Sequence, residues 1–352
     1  MTGSRIAAWL GAGLATAAAS RAADLAGLPS PPLFAALLVG LAVALALPDR
    51  LGVGYGPFVA AQAVTGVLLG GYLRSSSLSA LGHDWLPVAG VSLATLGVCL
   101  AAGAALARLT ELDAPTAALG SVAGGASGIV TMAEDLGADD RLVAFMQYLR
   151  VLVVVLLTPL LAAVAFPGHH AGAHAGGPHQ AYLGTPREWA LTAGVAVAGG
   201  LAGRRVRLPA SVLLGPMILA GVLTLAWPAL GLAVPPLLRD VAFALIGLQV
   251  GLKFTLETVR LAGRLLGPVV ASVAALLAAC FGLGVLLHLT TSVSLLDGYL
   301  ATTPGGLYAV LAIAVGAGSN TTFVVAVQGL RLLVMVLLAP FAVRWMLRRR
   351  RR

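Results

Sequence analysis

The stretch Ser121-Val122-Ala123-Gly124-Gly125-Ala126-Ser127-Gly128 and the shorter Thr302-Thr303-Pro304-Gly305-Gly306 decide how this chain folds. They interrupt two apolar segments, about 114–132 and 295–317, with residues that break a helix in its middle. Glycine leaves the backbone loose, and proline lacks an N–H and clashes with the preceding turn. Each stretch therefore frees backbone carbonyls and amides. At membrane depth such groups are tolerated only where protein or a polar cavity surrounds them. Two forms meet that condition: a broken crossing helix or a re-entrant hairpin.

The surrounding composition sets the medium. Of 352 residues, 59% are hydrophobic and 10% charged, with a mean hydropathy of +0.97, whereas a soluble domain has roughly 45–50% apolar and ~25% charged residues. A soluble globular domain is excluded, and an all-α polytopic membrane protein is expected. Its 44 glycines suit helices that pack closely within a bilayer. The net charge of +9 invites a nucleic-acid reading, but Arg344 and Arg348 to Arg352 place six of the cations at the C-terminus. A short arginine tail after an apolar helix reads as a cytoplasmic anchor, so no direct nucleic-acid partner is expected. Cys99 and Cys280 lie inside apolar runs and read as small buried side chains, not a disulfide.

The two broken stretches belong to a duplication. Trp9, Leu28, Pro29 and Pro48 recur as Trp189, Leu208, Pro209 and Pro228, a shift of 180. The shift then becomes 181: Gly66, Gly70, Cys99, Gly137, Gln147, Arg150 and Pro159 match Gly247, Gly251, Cys280, Gly318, Gln328, Arg331 and Pro340. The chain divides into a first membrane repeat (1–166), a His/Gly/Ala-rich linker (167–187), a second repeat (188–347) and a basic cytoplasmic tail (348–352). The stretch Arg5 to Ala19 has the look of a secretory signal, yet its copy in the second repeat makes it a structural element.

Each repeat holds six apolar segments, the fifth being broken. If all twelve cross with the C-terminus inside, 11 Lys/Arg face the cytoplasm and 9 face out. If the fifth segments re-enter, leaving about ten crossings, the distribution becomes 16 inside and 4 outside, with Arg150 and Arg331 within the membrane. The positive-inside bias selects the second arrangement and puts both termini in the cytoplasm. Five crossings per repeat make the repeats inverted, so the two broken elements enter from opposite faces. Arms of about nine residues rise roughly 13 Å, about half of the ~30 Å core, and can meet near the midplane. Inverted repeats with paired interrupted elements point to a transport site in secondary transporters.

The candidate site follows from the same places. Arg150 and Arg331 each sit about ten residues into an apolar segment, in Gln147-x-x-Arg150 and Gln328-x-x-Arg331. A central arginine costs ~2.5–3.5 kcal/mol even on the lenient insertion scale. Residues three apart share a helix face, so each Gln and Arg can point together into the bundle. They can staple the freed carbonyls or bind an anionic group, a carboxylate or phosphate. Ser121, Gly124, Gly125, Ser127, Thr302, Thr303, Gly305 and Gly306 would line the broken tips, where hydroxyls and bare backbone can coordinate a substrate or a sodium ion. Asn320 and Thr321 read as the start of the last helix.

Other polar residues carry weaker signals. Glu134, Asp135, Asp139, Asp140, Asp240 and Asp297 are candidates for proton coupling, although carboxylates before a helix also favour its positive end. The linker histidines His169, His170, His174 and His179 lie in flexible Ala/Gly-rich sequence without preorganised ligand geometry. No hydrolase elbow, phosphate loop or zinc motif is present. No enzymatic activity, catalytic residue, cofactor or metal is expected. The expected partners are a small solute, a coupling proton or sodium ion, and the lipid bilayer, and a homo-oligomer is compatible with this reading.

Taken together, these residues resemble the AbrB-duplication family of bacterial membrane proteins, also carried under an ammonia monooxygenase label. The resemblance rests on Gly124-Gly125 through Gly137-Ala138-Asp139, Gln147-x-x-Arg150 and Pro159, on Leu208-Pro209 with Leu214-Gly215-Pro216-Met217, and on Thr303-Pro304-Gly305-Gly306-Leu307 with Gln328-x-x-Arg331 and Pro340. The family pattern puts proline before the glycine pair and an acidic-Met pair after it. Here Ala123 and Gly128-Ile129 depart from it in the first copy, and Ala309-Val310 in the second. The resemblance implies a protein of the bacterial inner membrane, with a regulatory effect on gene expression in some members, and it brings with it no identity for a transported substrate. The oxygenase label finds no intramembrane histidine cluster: His288 is matched by Ala107.

Overall fold

The computed structural model describes residues 2–25, 30–46, 51–73, 84–124, 129, 133, 136–165, 181–208, 211–254, 263–305, 310, 313–314 and 319–350, leaving aside the side chains of 2–7, 159–160, 162–165, 333, 336, 340 and 345–350. Among the described residues there are twelve α-helices and no strand. They are α1 Thr2–Leu25, α2 Pro31–Ala46, α3 Tyr55–Gly71, α4 Trp85–Leu109, α5 Ala114–Ser121 and α6 Asp140–Ala165. The second series comprises α7 Pro186–Arg205, α8 Ser211–Ala226, α9 Pro236–Gly251, α10 Leu266–Thr290, α11 Leu295–Thr302 and α12 Thr321–Arg350. Matched elements have matched lengths: 16 residues in α2 and α8, 25 in α4 and α10, and eight in α5 and α11.

Among the described residues, four stretches are long and apolar enough to cross a membrane: Trp85–Leu109, Asp140–Thr158, Gly263–Thr290 and Thr321–Arg344. Two shorter apolar helices, Pro31–Ala46 and Ser211–Ala226, reach about 24 Å at 1.5 Å per residue, less than a ~30 Å core. Exposed Leu93 on α4, Val270 and Leu286 on α10, and Leu337 on α12 cover outward faces with hydrocarbon. The molecule is a helical membrane protein.

The chain forms two compact units, each drawing on both halves of the sequence. The first comprises Met1–Ser79, Pro159–Leu256 and Leu311–Thr322, and contains α1–α3 and α7–α9. Within it α3 packs on α8 and α9 packs on α2. A Cβ at Gly66 would strike the carbonyl of Leu213, and one at Gly247 would strike that of Leu33. Gly70 and Gly251 make the same approach to Met217 and Leu37. Small residues four apart let backbones touch where bulky ones would hold them apart. Gly215, within the Leu214–Met217 stretch, likewise meets the backbones of Gly199 and Gly203 of α7.

The second unit comprises Ala80–Thr158, Glu257–Val310 and Phe323–Arg352. Here α4 packs on α10, with the short α5 against α4 and α11 against α10. The corner that starts each short helix is built twice. The hydroxyls of Thr110 and Thr291 donate to the carbonyls of Leu106 and Leu287 at 2.7 and 2.6 Å, closing α4 and α10. The side chains of Asp113 and Ser294 then cap α5 and α11, each accepting a backbone N–H at 3.0 Å. Gly103 and Gly284 give α5 and α11 the room to lie against the longer helices.

Candidate functional site

The helix breaks fall where the glycine pairs placed them. α5 ends at Ser121, and Val122 turns extended with φ −65° and ψ 122°. α11 ends at Thr302, and Thr303 does the same with φ −52° and ψ 124°. Pro304 accounts for the second case, because proline drives the preceding residue out of the helical region. Val122 reaches that conformation in front of Ala123, without a proline. In both copies the next glycine closes a tight turn, with the Gly124 N–H donating to the Val122 carbonyl and that of Gly305 to Thr303, each at 3.1 Å.

The freed carbonyls are held by the Gln-x-x-Arg pairs. The Gln147 amide donates to the carbonyls of Leu119 at 2.7 Å and Val122 at 2.9 Å, and Arg150 Nη1 donates to Val122 at 2.8 Å. Arg150 Nη2 donates to Gln147 Oε1 at 2.8 Å, fixing the amide. At an offset of 181, the Gln328 amide donates to Leu300 at 2.7 Å and Thr303 at 3.3 Å. Arg331 Nη1 reaches Thr302 at 3.1 Å and Thr303 at 2.6 Å, while its Nη2 donates to Gln328 Oε1. Hydrogen bonds to a charged donor contribute ~1.5–3 kcal/mol each. The stapling role is thus present in both halves.

These side chains are deeply buried: Arg150 and Arg331 are 3% and 5% exposed, and both glutamines are fully buried. Neither arginine meets a carboxylate among the described residues, and the Nε–H of each has no hydrogen-bond partner among them. A buried charge without a counter-charge is costly. An anion next to the free guanidinium edges would offset that cost.

The breaks also grip the opposite half. A Cβ added at Gly124 would run into Met335 of α12, and one at Gly305 would stand 2.7 Å from the side chain of Val154 of α6. Met335 lies one turn beyond Arg331, and Val154 one turn beyond Arg150. Each break is therefore wedged between its own stapling arginine and the last helix of the other half of the sequence. The sequence carries no local signal for these two contacts.

Of the remaining candidates, Thr302 Oγ1 donates to the carbonyl of Cys280 at 2.8 Å and also lies 2.9 Å from that of Gly298. Thr303 Oγ1 donates to Tyr299 at 2.7 Å. Its first-half counterparts differ: Ser121 is buried and its hydroxyl has no partner among the described residues. Gly125, Ser127 and Gly306 lie outside the described residues, as do Glu134, Asp135 and the linker histidines. Asp139 caps the start of α6, accepting the N–H groups of Arg141 and Leu142 at 3.0 Å each. Asp240 lies against Arg239, and Asp297 accepts from the Ser294 hydroxyl at 2.7 Å. Cys99 and Cys280 are free and buried. Thr321 opens α12.

A bundle of apolar helices with polar groups gathered at two helix breaks defines a helical membrane protein with a buried polar centre. The chain belongs to the AbrB family, whose model, described as transition state regulatory protein AbrB, matches residues 9–347. It is 36% identical over 318 residues to "Putative regulator AbrB" of Escherichia coli (strain K12), covering 88% of this chain and 90% of that protein. It is 28% identical over 310 residues to "Uncharacterized protein YhjN" of Bacillus subtilis (strain 168), covering 84% of this chain and 80% of that one.

Proposed function

We propose that this chain is a secondary-transporter-like carrier of a small anionic solute in the bacterial inner membrane, without enzymatic activity. One observation carries the reading: two buried guanidiniums, without carboxylate partners among the described residues, stand at two helix breaks. Broken elements near the midplane, with charged groups beside them, are where secondary transporters bind substrate. In this reading the tandem repeats are inverted, ten helices cross, the fifth elements re-enter, and both termini are cytoplasmic. The exchanged contacts Gly124 to Met335 and Gly305 to Val154 support a paired arrangement of the two halves, since each break lies against the last helix of the other half. A proton or sodium ion would supply the driving force.

A second reading has its own support in the name of the Escherichia coli relative, which calls that protein a regulator. There the same centre senses a solute, and a cytoplasmic surface passes the signal to a protein partner that affects gene expression. Reconstitution separates the two: solute flux into proteoliposomes belongs to the carrier, and solute binding without flux to the sensor.

A further inference from the structure

We infer that the end of α7 is a binding site for an anionic phospholipid, with Arg204, Arg205 and Arg207 as the donors to its headgroup. The inference stands apart from the carrier reading and starts from the backbone. α7 closes with a Schellman turn, in which the Arg207 N–H donates to the Arg204 carbonyl at 3.1 Å and the Leu208 N–H to that of Gly203 at 2.9 Å. The turn puts Arg207 in the left-handed region, with φ +56°. Glycine is the usual residue there, because a Cβ in that conformation crowds the following carbonyl.

The first copy of the repeat has the ordinary choice. At the offset of 180 that matches Leu208-Pro209 to Leu28-Pro29, the residue equivalent to Arg207 is Gly27. Arg204 and Arg205 stand where the first copy has Asp24 and Leu25, so all three cations belong to the second copy alone. At the end of α1 the charge is balanced, Arg21 pairing with Asp24 at 2.9 Å. At the end of α7 three exposed arginines gather within four residues, and none pairs with a carboxylate among the described residues. Arginines in a last helical turn offset the negative end of the helix dipole, which accounts for Arg204 and Arg205. It does not account for a long cation one step beyond, where glycine would fold more easily. A residue kept in such a conformation points to a use for its side chain.

The neighbouring surface selects the ligand. α7 buries Thr192, Val195, Gly199 and Gly203, which leaves its opposite face outward. The exposed Val197 and Leu201 lie on that face, eight and four residues before Arg205. An acyl chain can lie along them while a phosphodiester meets the guanidinium forks at the end of the helix. Val206, exposed between Arg205 and Arg207, adds apolar surface at the same level. A soluble anion would use the arginines but not this apolar track.

The test uses full-length protein in a neutral detergent, with labelled phosphatidylglycerol as the probe and phosphatidylcholine and free glycerol phosphate as competitors. Phosphatidylglycerol is expected to bind, to raise the unfolding temperature, to weaken its hold as salt is added, and to be displaced by neither competitor. Arg204→Gln and Arg205→Gln should each weaken binding about fivefold, whereas Arg141→Gln, at an exposed arginine elsewhere, should leave it unchanged. Arg207→Gly separates binding from folding. It should weaken binding by the same factor yet raise the unfolding temperature in lipid-free detergent, since glycine adopts the left-handed conformation without strain. Displacement by either competitor, binding indifferent to the three variants, or an equal loss from Arg141→Gln overturns the site. So does an Arg207→Gly protein no more stable than wild type in lipid-free detergent.

Discussion

Gly305 lies so close to Val154 that a Cβ at 305 would stand 2.7 Å from the valine side chain. The second break is thereby locked onto α6, one turn past Arg150, and Gly124 locks the first break onto α12 at Met335. Gly305→Ala and Gly124→Ala are expected to cost about 1–3 kcal/mol each through overpacking. Gly329→Ala, at a helical position with nothing within 4 Å, should be neutral or slightly stabilising. Thermal unfolding of the purified variants checks the contrast.

The two arginines should separate in their effects. Arg331 Nη1 serves two carbonyls and Arg150 Nη1 serves one. Arg331→Gln is therefore expected to lower stability more, by roughly one extra charge-assisted hydrogen bond of ~1.5–3 kcal/mol. Arg150→Gln should lower solute binding more. Denaturation and binding measured on the same preparations decide this, and equal losses in both would contradict the assignment.

The short helices depend on their caps. Asp113→Ala and Ser294→Ala each remove the side-chain acceptor at the start of an eight-residue helix, at an expected cost of about 0.5–2 kcal/mol. Hydrogen exchange should show the loss concentrated in α5 for the first variant and in α11 for the second. A uniform change along the chain would contradict the local role.

Topology distinguishes inverted from parallel repeats. With five crossings per repeat, a reporter within the linker 167–187 is extracytoplasmic and one at Arg141 is cytoplasmic. With six crossings, both locations are reversed. Reporter fusions at these two positions and at the C-terminus give the answer directly.

Much of the polar centre could be read from the chain. Glycine and proline inside an apolar run announce a helix break, and an arginine inside another announces a buried partner. The spacing of Gln147 and Arg150 puts both on one face, which is how they meet the Val122 carbonyl. What no local pattern carried was tertiary. Met335 and Val154 are ordinary apolar residues whose importance comes from the glycine opposite each. The interleaving of the two sequence halves into each compact unit also depends on long-range pairing. The paired glycines at 66, 70, 247 and 251 allow that pairing but do not name the partner helix.

The most direct test of the account is uptake of labelled short carboxylates into proteoliposomes of the full-length chain, at mildly alkaline pH where the membrane-permeant neutral acid is scarce. The account predicts saturable uptake above protein-free liposomes that is lost in Arg150→Gln protein retaining its helical signal. Uptake no greater than in empty liposomes, or equal uptake by wild type and Arg150→Gln, would contradict it.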